Sequence, residues 1–125
     1  MSAHTLPKSE RLRSLGAVRR LFSDGRSGFV YPFRYMIFTE ESASPSVEVL
    51  FSVPKRYHKR ANKRNLLRRR TKEAYRLNKE VVTAVATERG KALDMALVYS
   101  VKECVPYKTI ENAVRKILQE VGATL

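Results

Sequence analysis

The sequence contains a single cysteine, Cys104, among its 125 residues. This excludes an internal disulfide bond and a zinc site built from several cysteines. No stretch approaches the roughly 18 consecutive apolar residues that a membrane-spanning helix needs. The N-terminal stretch lacks the apolar core of a signal peptide, so we expect an intracellular, cytoplasmic protein with no membrane partner. Internal repeats and low-complexity tracts are also missing, which favours an ordinary folded domain.

Acidic residues are few as well, since 12 Asp and Glu stand against 25 Lys and Arg, for a formal net charge of +13. Such an excess predicts a polyanionic partner, because neutralising phosphates releases counterions and drives association. Hydrophobic residues make up 43% of the chain, which is enough for a modest core. The length fits one domain, so we expect a single nucleic-acid-binding domain over residues 1–125.

Most of the positive charge lies in one segment. Residues 55–76 hold eleven basic residues and one acidic residue, for a net charge of +10, whereas the other 103 residues hold +3. A nearly neutral domain with one basic element suits directional docking on a nucleic acid better than a diffuse charged coat does. The basic residues of the segment are Lys55, Arg56, Lys59, Arg60, Lys63, Arg64, Arg68, Arg69, Arg70, Lys72 and Arg76.

The hydrophobic pattern changes between helical and strand spacing and predicts an α+β sandwich, with the helices packed on one sheet. Residues 1–13 are expected to form an extended basic arm. Ser14 is a suitable cap for a first helix that stops at Gly25, and residues 25–28 are expected to form a turn. The predicted strands are 29–31, 33–39, 47–53 and 92–101. The predicted helices are 14–23, 64–87 and one that starts at Pro106.

The long basic helix has two distinct faces on a helical wheel, on which each residue advances by about 100°. The wheel brings the apolar side chains Leu66, Leu67, Ala74, Leu77 and Val81 into one arc, which we expect to face the sheet. It gathers a polar, mostly cationic face on the other side, made of Asn65, Arg68, Arg69, Lys72, Arg76 and Lys79. Lys63 and Arg70 project toward the apolar arc, where they would extend along its margin or pair with an acidic residue.

The cationic face has two interpretations, an ordinary solvated surface or a nucleic-acid contact. Like charges three and four residues apart repel, and a polyanion would relieve that repulsion. Arginine dominates the face, and arginine makes bidentate phosphate contacts that lysine does not make. We therefore favour the nucleic-acid contact. The loop residue His58 is equally compatible with a phosphate contact and with simple solvation, and Glu73 is expected to pair with Arg69, Arg70 or Arg76.

The order of residues in this segment resembles the signature of the bacterial ribonuclease P protein subunit. In that family a strand ends in Val-x-Lys-Lys, a short basic loop follows, and then comes Arg-Asn-x-x-Lys-Arg-x-x-Arg-Glu-x-Phe-Arg. The matching residues here are Val53, Pro54, Lys55 and Arg56, then Arg64, Asn65, Arg68, Arg69, Lys72, Glu73, Tyr75 and Arg76. Two positions depart from the pattern. Leu66 stands where the family often has a third arginine, and Arg70 stands where the family is usually apolar.

The resemblance implies a fold and a set of partners. The fold would be a two-layer sandwich of three helices on a four-stranded mixed sheet, in the order αβββαβα, with a left-handed crossover through the basic helix. The chain would bind a catalytic RNA subunit through Lys55, Arg56, Lys59, Arg60, Lys63, Arg64, Asn65, Arg68, Arg69, Lys72 and Arg76. Together they would remove the 5′ leader from precursor tRNA in a reaction that depends on Mg²⁺ held mainly by the RNA.

The resemblance also implies that the single-stranded leader lies in a cleft between the sheet and the first helix. Bases stack on aromatic side chains, and Phe22, Phe33 and Tyr35 are candidates for this role. Val18 occupies a position where the family often has a further aromatic residue. The alternative for all of these residues is a place in the core.

The residue chemistry is consistent with a protein that assists an RNA catalyst. Metal-dependent nuclease sites need clustered carboxylates, and the acidic residues here are scattered along the sequence. We therefore expect no catalytic residues in the protein and no activity of the protein alone. No metal-binding residues are expected either, although a metal near Glu73 is an alternative to its local ion pair. We also expect that no protein oligomer is required. The alternatives are a structural RNA-binding protein, such as a small ribosomal protein, and more distantly a small nuclease or a DNA-binding protein.

Overall fold

A computed structural model of the chain describes residues 10–12 and 14–125, which form four helices and four strands. None of the helices in this part of the chain has both the length and the apolar character that crossing a bilayer requires. In chain order the elements are α1 (Leu15–Asp24), β1 (Arg26–Val30), β2 (Phe33–Glu41), β3 (Ser46–Ser52), α2 (Ala61–Asn78), α3 (Glu80–Arg89), β4 (Lys91–Tyr99) and α4 (Tyr107–Thr124).

The four strands form one mixed sheet in the order β1-β2-β4-β3. Strand β2 is antiparallel to both β1 and β4, and its register with β4 runs from Phe33 opposite Tyr99 to Glu41 opposite Lys91. Strands β3 and β4 are adjacent and parallel, and α2 and α3 connect them. The α+β class, the four-stranded mixed sheet and the crossover through the basic helix are thereby confirmed. The left-handedness of the crossover stays a prediction.

Helices pack on both faces of the sheet, because side chains on a strand point alternately to the two sides and both sets include apolar residues. The larger core lies under α2, α3 and α4 and includes Phe33, Leu97 and Tyr99. On the other face α1 packs over a smaller core of Leu12, Leu21, Met36 and Ala96. The prediction of two layers, with all helices on one side of the sheet, is therefore wrong, since α1 lies on the side opposite the other helices.

The first helix lies within one residue of its predicted bounds, whereas the first strand begins earlier than predicted. The hydroxyl of Ser14 accepts a hydrogen bond from the amide of Ala17 at 3.3 Å, and Gly25 follows the helix as its C-cap. Strand β1 then begins at Arg26, so most of the predicted turn at 25–28 is strand. Gly28 permits this pairing, because a Cβ at that position would lie 2.5 Å from the ring of Tyr35 on β2.

The predicted single helix over 64–87 is divided at Lys79, which gives four helices where three were expected. The Asn78 side chain donates to the carbonyl of Ala74 at 2.8 Å, and that carbonyl is the usual acceptor for the backbone amide of residue 78. Lys79 itself is buried, and its ammonium lies 2.8 Å from a carboxylate oxygen of Glu10. This ion pair connects the segment before α1 to the α2–α3 junction.

Candidate nucleic-acid interface

Helix α2 packs on the sheet through a face that is rotated from the apolar arc predicted by the helical wheel. Leu77 and Val81 were expected to face the core, but they are 39% and 38% exposed. Thr71 lies in the core instead, since its hydroxyl donates to the Leu67 carbonyl at 2.7 Å and is therefore satisfied within the helix. The buried residues of α2 are Leu67, Thr71, Ala74 and Tyr75.

The packing of α2 leaves its remaining face toward solvent, together with the basic side chains of the preceding segment, residues 54–60. We call this segment the basic loop. The first turn of α2 contains no acidic residue and its cap position makes no side-chain hydrogen bond, so the positive end of the helix dipole adds to the local cationic charge. Of the eleven residues predicted to bind RNA, those that are exposed are Lys55, Arg56, Lys59, Arg60, Lys63, Asn65 and Arg69. Those that are partly buried are Arg64, Arg68, Lys72 and Arg76.

Two members of the predicted cationic face are engaged with acidic residues. Arg76 donates from both Nε and Nη2 to the carboxylate of Glu73, at 3.1 and 2.5 Å, so the expected local pair of Glu73 forms with Arg76. Lys79 was placed on the cationic face, and this is wrong, because it is 7% exposed and paired with Glu10. The surface that can meet a polyanion is therefore centred on the basic loop and the first half of α2.

Three further residues have positions that differ from the expectation. Arg70 does not pair with an acid but donates from Nη1 to the backbone carbonyl of Val105 at 3.2 Å. Lys63 lies exposed rather than along the apolar margin. His58 is neither solvated nor on the cationic surface, since it is 9% exposed and its Nε2 lies 2.9 Å from the carbonyl oxygen of Val101.

A cationic groove lies along the edge of β3. Arg11, Arg68 and Lys72 line it around an apolar floor that includes Leu50 and Phe51, with a cavity of about 160 Å³. Partial burial, with smaller contributions from the charges of Arg11 and Arg68, lowers the pKa of the Lys72 ammonium. Sequence reasoning missed Arg11, because its place beside Val49 results from a single bridge between the N-terminal segment and β3.

A second depression, which we call the cleft, opens between α1 and the sheet beside the basic loop. Its cavity measures about 200 Å³. Phe22 is 46% exposed there, and Phe29, 57% exposed, lies directly opposite Arg34 on the same side of the sheet. Val18 packs partly buried against the smaller core instead of lining the cavity. The residues that line the cleft are Phe22, Arg34, Met36, Arg56, Val98 and Ser100.

Phe33 and Tyr35 were candidates for the cleft, and their places in the structure contradict this. Phe33 is fully buried in the larger core and contacts Tyr99 edge-on at 5.7 Å. Tyr35 lies on the same side of the sheet, where its hydroxyl donates to Glu120 of α4 at 3.0 Å. The alternate residues of β2, such as Arg34, point to the other side of the sheet and face the cleft. The sequence does not indicate which side of the sheet α1 covers, and for this reason it does not show which residues of β2 face the cleft.

Two carboxylates on the α1 side of the sheet, those of Asp94 and Glu40, are engaged by Arg20. The Nη2 atom of Arg20 lies 3.3 Å from Asp94 and 3.6 Å from Glu40, and its guanidinium stacks over Phe38 at 4.4 Å. Burial raises the pKa of Asp94, although the bond to Arg20 acts in the opposite direction. Within residues 10–12 and 14–125, no three His, Cys, Asp or Glu side chains are grouped as a set of metal ligands. The described residues therefore offer no set of three protein ligands that would hold a Mg²⁺ ion by themselves.

An α+β domain that presents a basic loop and helix next to an open cleft lined by Phe22 and two arginines belongs to the class of nucleic-acid-binding proteins. Comparison with known families is more specific, since the family model described as Ribonuclease P matches residues 6–122. The chain therefore belongs to the Ribonuclease P protein family, as the resemblance predicts. The family implies an RNA-binding role in tRNA processing, in partnership with ribonuclease P RNA.

Individual relatives agree with the family assignment, and a solved structure shows a similar fold. The ribonuclease P protein component of Porphyromonas gingivalis is 35% identical over 122 residues, which cover 96% of this chain and 88% of that protein. The component from Chlorobaculum tepidum is 38% identical over 97 residues, covering 70% and 60% of the two chains. The fold is similar to that of the RNase P protein from Thermotoga maritima, with a TM-score of 0.69, 22% identity and coverage of 89% and 96%.

Proposed function

We propose that this chain is the protein subunit of a ribonuclease P holoenzyme, and that it binds both the catalytic RNA and the 5′ leader of precursor tRNA. The basic loop and the exposed side of α2 would bind the catalytic RNA, and the cleft would hold the leader. The holoenzyme would cleave a phosphodiester bond to give the mature 5′ end of the tRNA. The cytoplasmic location stays a prediction.

The observation that carries this proposal is that the two surfaces meet at Arg56. Arg56 belongs to the basic loop and also lines the cleft. A leader that enters the cleft would therefore pass directly beside the RNA bound to the loop. In a holoenzyme such continuity would bring the scissile phosphate, where the leader joins the tRNA, close to the catalytic RNA.

The chemistry of the cleft suits a single strand without sequence preference. Phe22 offers an exposed aromatic face in the cleft on which a base can stack, and Phe29, opposite Arg34 on the same side of the sheet, offers a second exposed ring outside the cleft lining. Arg34 and Arg56 supply charge-assisted hydrogen bonds for the phosphates of the same strand. Apolar Met36 and Val98 form the remainder of the lining. Leader binding would accordingly depend on stacking as much as on charge.

Catalysis itself is assigned to the RNA subunit, which would supply the Mg²⁺-dependent chemistry. The protein residues described above would bind and position the RNAs, and this role is consistent with a described part of the chain in which no three His, Cys, Asp or Glu side chains are grouped to hold a metal. The role of the protein would be to orient the substrate and to neutralise the phosphate repulsion between two large RNAs.

The test is cleavage of precursor tRNA at low Mg²⁺ by the protein alone, by the cognate RNA alone, and by both together. We expect no cleavage by the protein alone and much faster cleavage by the mixture than by the RNA alone. Sequencing of the RNA that co-purifies with the protein should find one abundant noncoding species. Cleavage by the protein alone would contradict RNA catalysis, and co-purified ribosomal RNA would support a structural RNA-binding protein instead.

The replacement Phe22→Ala is expected to weaken holoenzyme binding of precursor tRNA while it leaves the affinity for leaderless tRNA unchanged. Loss of one stacking platform costs roughly 1–3 kcal/mol per base. The measurement is the ratio of the two dissociation constants. Leu15→Ala is a matched control, since Leu15 is on the same helix and 63% exposed but does not line the cleft. An equal loss of affinity for both RNAs would argue against leader binding at Phe22.

A further inference from the structure

The basic loop is held against the body of the protein by an imidazole. His58 is 9% exposed, and its Nε2, protonated, donates to the Val101 carbonyl at 2.9 Å. Its ring contacts the ring of Tyr99 edge-on, with centroids 5.3 Å apart. Tyr99 is itself fixed, because its hydroxyl accepts from the amide of Val105 at 3.0 Å and donates to the carbonyl of Glu103. The loop is therefore attached to the connection between β4 and α4.

An arginine holds the same loop from the side of the helix. The Nη1 atom of Arg64, on the first turn of α2, donates to the carbonyl of His58 at 3.1 Å and to the carbonyl of Lys59 at 2.6 Å. These two carbonyls lie at the end of the basic loop, next to Arg60. Arg64 is partly buried, whereas Lys59 and Arg60 are exposed. The guanidinium of Arg64 is thus directed at the backbone of the loop.

We propose that Arg64 and His58 are positioning residues that fix the basic loop in its RNA-binding conformation. This inference deepens the proposed function and rests on it. It also changes the role of Arg64 from the direct RNA contact that the sequence suggested. The RNA contacts of this region would be made by Lys55, Arg56, Lys59 and Arg60, which Arg64 and His58 present.

The loop needs such support because it has little structure of its own. Its internal bonds are those of one turn, in which the amides of Tyr57 and His58 donate to the Pro54 carbonyl at 3.2 and 3.3 Å. Four cationic side chains in six residues repel one another in the absence of RNA. A loop that is already ordered pays a smaller entropic cost on binding, and this raises affinity without any additional contact.

The test is RNA binding by Arg64→Lys and His58→Phe as a function of salt concentration. Lysine keeps the charge but is one bond too short to reach both carbonyls, and phenylalanine keeps the ring on Tyr99 but loses the bond to Val101. For both variants we expect affinity for the catalytic RNA to fall about tenfold, because ordering the loop then costs free energy on binding. The slope of log affinity against log salt should be unchanged, because the phosphate contacts still form in the complex.

Arg69 supplies the matched control, since it is an exposed arginine on the same helix. Arg69→Lys should keep most of the affinity, and Arg69→Ala should lower the slope by about one ion, as the loss of a phosphate contact does. If Arg64→Lys binds RNA as tightly as the wild type, Arg64 is a direct phosphate contact and the inference is wrong.

Hydrogen exchange in the free protein provides a readout that does not depend on RNA. The amides of residues 57–60 should exchange faster in both variants, while those of β4 stay protected. Unchanged exchange in the loop of a folded variant would overturn the positioning role. If the amides of β4 lose protection in Arg64→Lys, that variant is destabilised as a whole, and exchange in the loop of His58→Phe then tests the positioning role. Should the wild-type protein fail to bind the RNA, the proposed function fails, and exchange still shows whether these side chains fix the loop.

Discussion

Replacement of Leu67 by alanine is expected to lower the free energy of unfolding by about 2–5 kcal/mol, the usual cost of a large cavity in a core. Leu67 is fully buried, and α2 packs through this face against β3 and α4. The measurement is urea denaturation followed by circular dichroism. The salt dependence of RNA binding should stay unchanged under conditions where the variant is folded, because Leu67 makes no contact on the cationic side of the helix.

The matched control for this experiment is Leu77→Ala on the same helix. Leu77 belongs to the apolar arc that the wheel predicts, but it is 39% exposed. Its truncation should cost less than about 1 kcal/mol, since a partly exposed side chain leaves no closed cavity. Equal losses for the two variants would show that α2 is seated on the face that includes Leu77, contrary to the structure.

The difference between the two leucines also shows where the helical wheel fails. The wheel locates the helix and its two-sided character correctly, and Leu67 and Ala74 lie in the core as predicted. It misses Thr71 and Tyr75, because both carry a hydroxyl and count as polar in a hydrophobic pattern. Thr71 satisfies its hydroxyl on the Leu67 carbonyl, and Tyr75 buries a large ring against Phe51. The local hydrogen bond of Thr71 and the ring packing of Tyr75 allow both residues to be buried, and a hydrophobic pattern reveals neither of them.

The sheet presents a similar limit, because the strand pattern predicts two faces but not their partners. Phe33 and Tyr35 alternate correctly with Arg34 and Met36, so the division of β2 into two sets is predictable. Both sets are rich in apolar residues, and this indicates that both faces are covered. Which set meets α1 depends on the direction in which the chain turns after Gly25, and that is a property of the whole fold.

Some features of the candidate interface likewise follow from the local sequence, whereas others depend on contacts between residues that are far apart along the chain. The basic loop and the exposed arginines of α2 follow from charge and spacing along the chain. The roles of His58 and Arg11 depend on Val101 and Val49, which lie 43 and 38 positions further along the sequence. Contacts of this kind form only when the sheet is assembled. The sequence therefore indicates which residues are basic, and the fold decides which of them can meet RNA.

Simultaneous replacement of Lys59, Arg60 and Arg69 by alanine is expected to weaken binding of the catalytic RNA about 1,000-fold. The three side chains are exposed, on the basic loop and the outward side of α2. A hydrogen bond to a charged group contributes about 1.5–3 kcal/mol, so each lost phosphate contact costs roughly tenfold or more. The slope of log affinity against log salt should fall by about three ions, at roughly 0.9 per phosphate contact. Filter binding over a range of salt concentrations measures both quantities.

A control variant with the same change in net charge separates local contacts from overall attraction. Arg89, Lys108 and Lys116 are also exposed, but they lie at the end of α3 and along α4. Their simultaneous replacement by alanine should leave the salt slope nearly unchanged and reduce affinity only slightly, through weaker long-range steering. If both triple variants lost affinity equally, binding would follow the total charge of the protein. The basic loop and α2 would then have no special part in recognising the RNA.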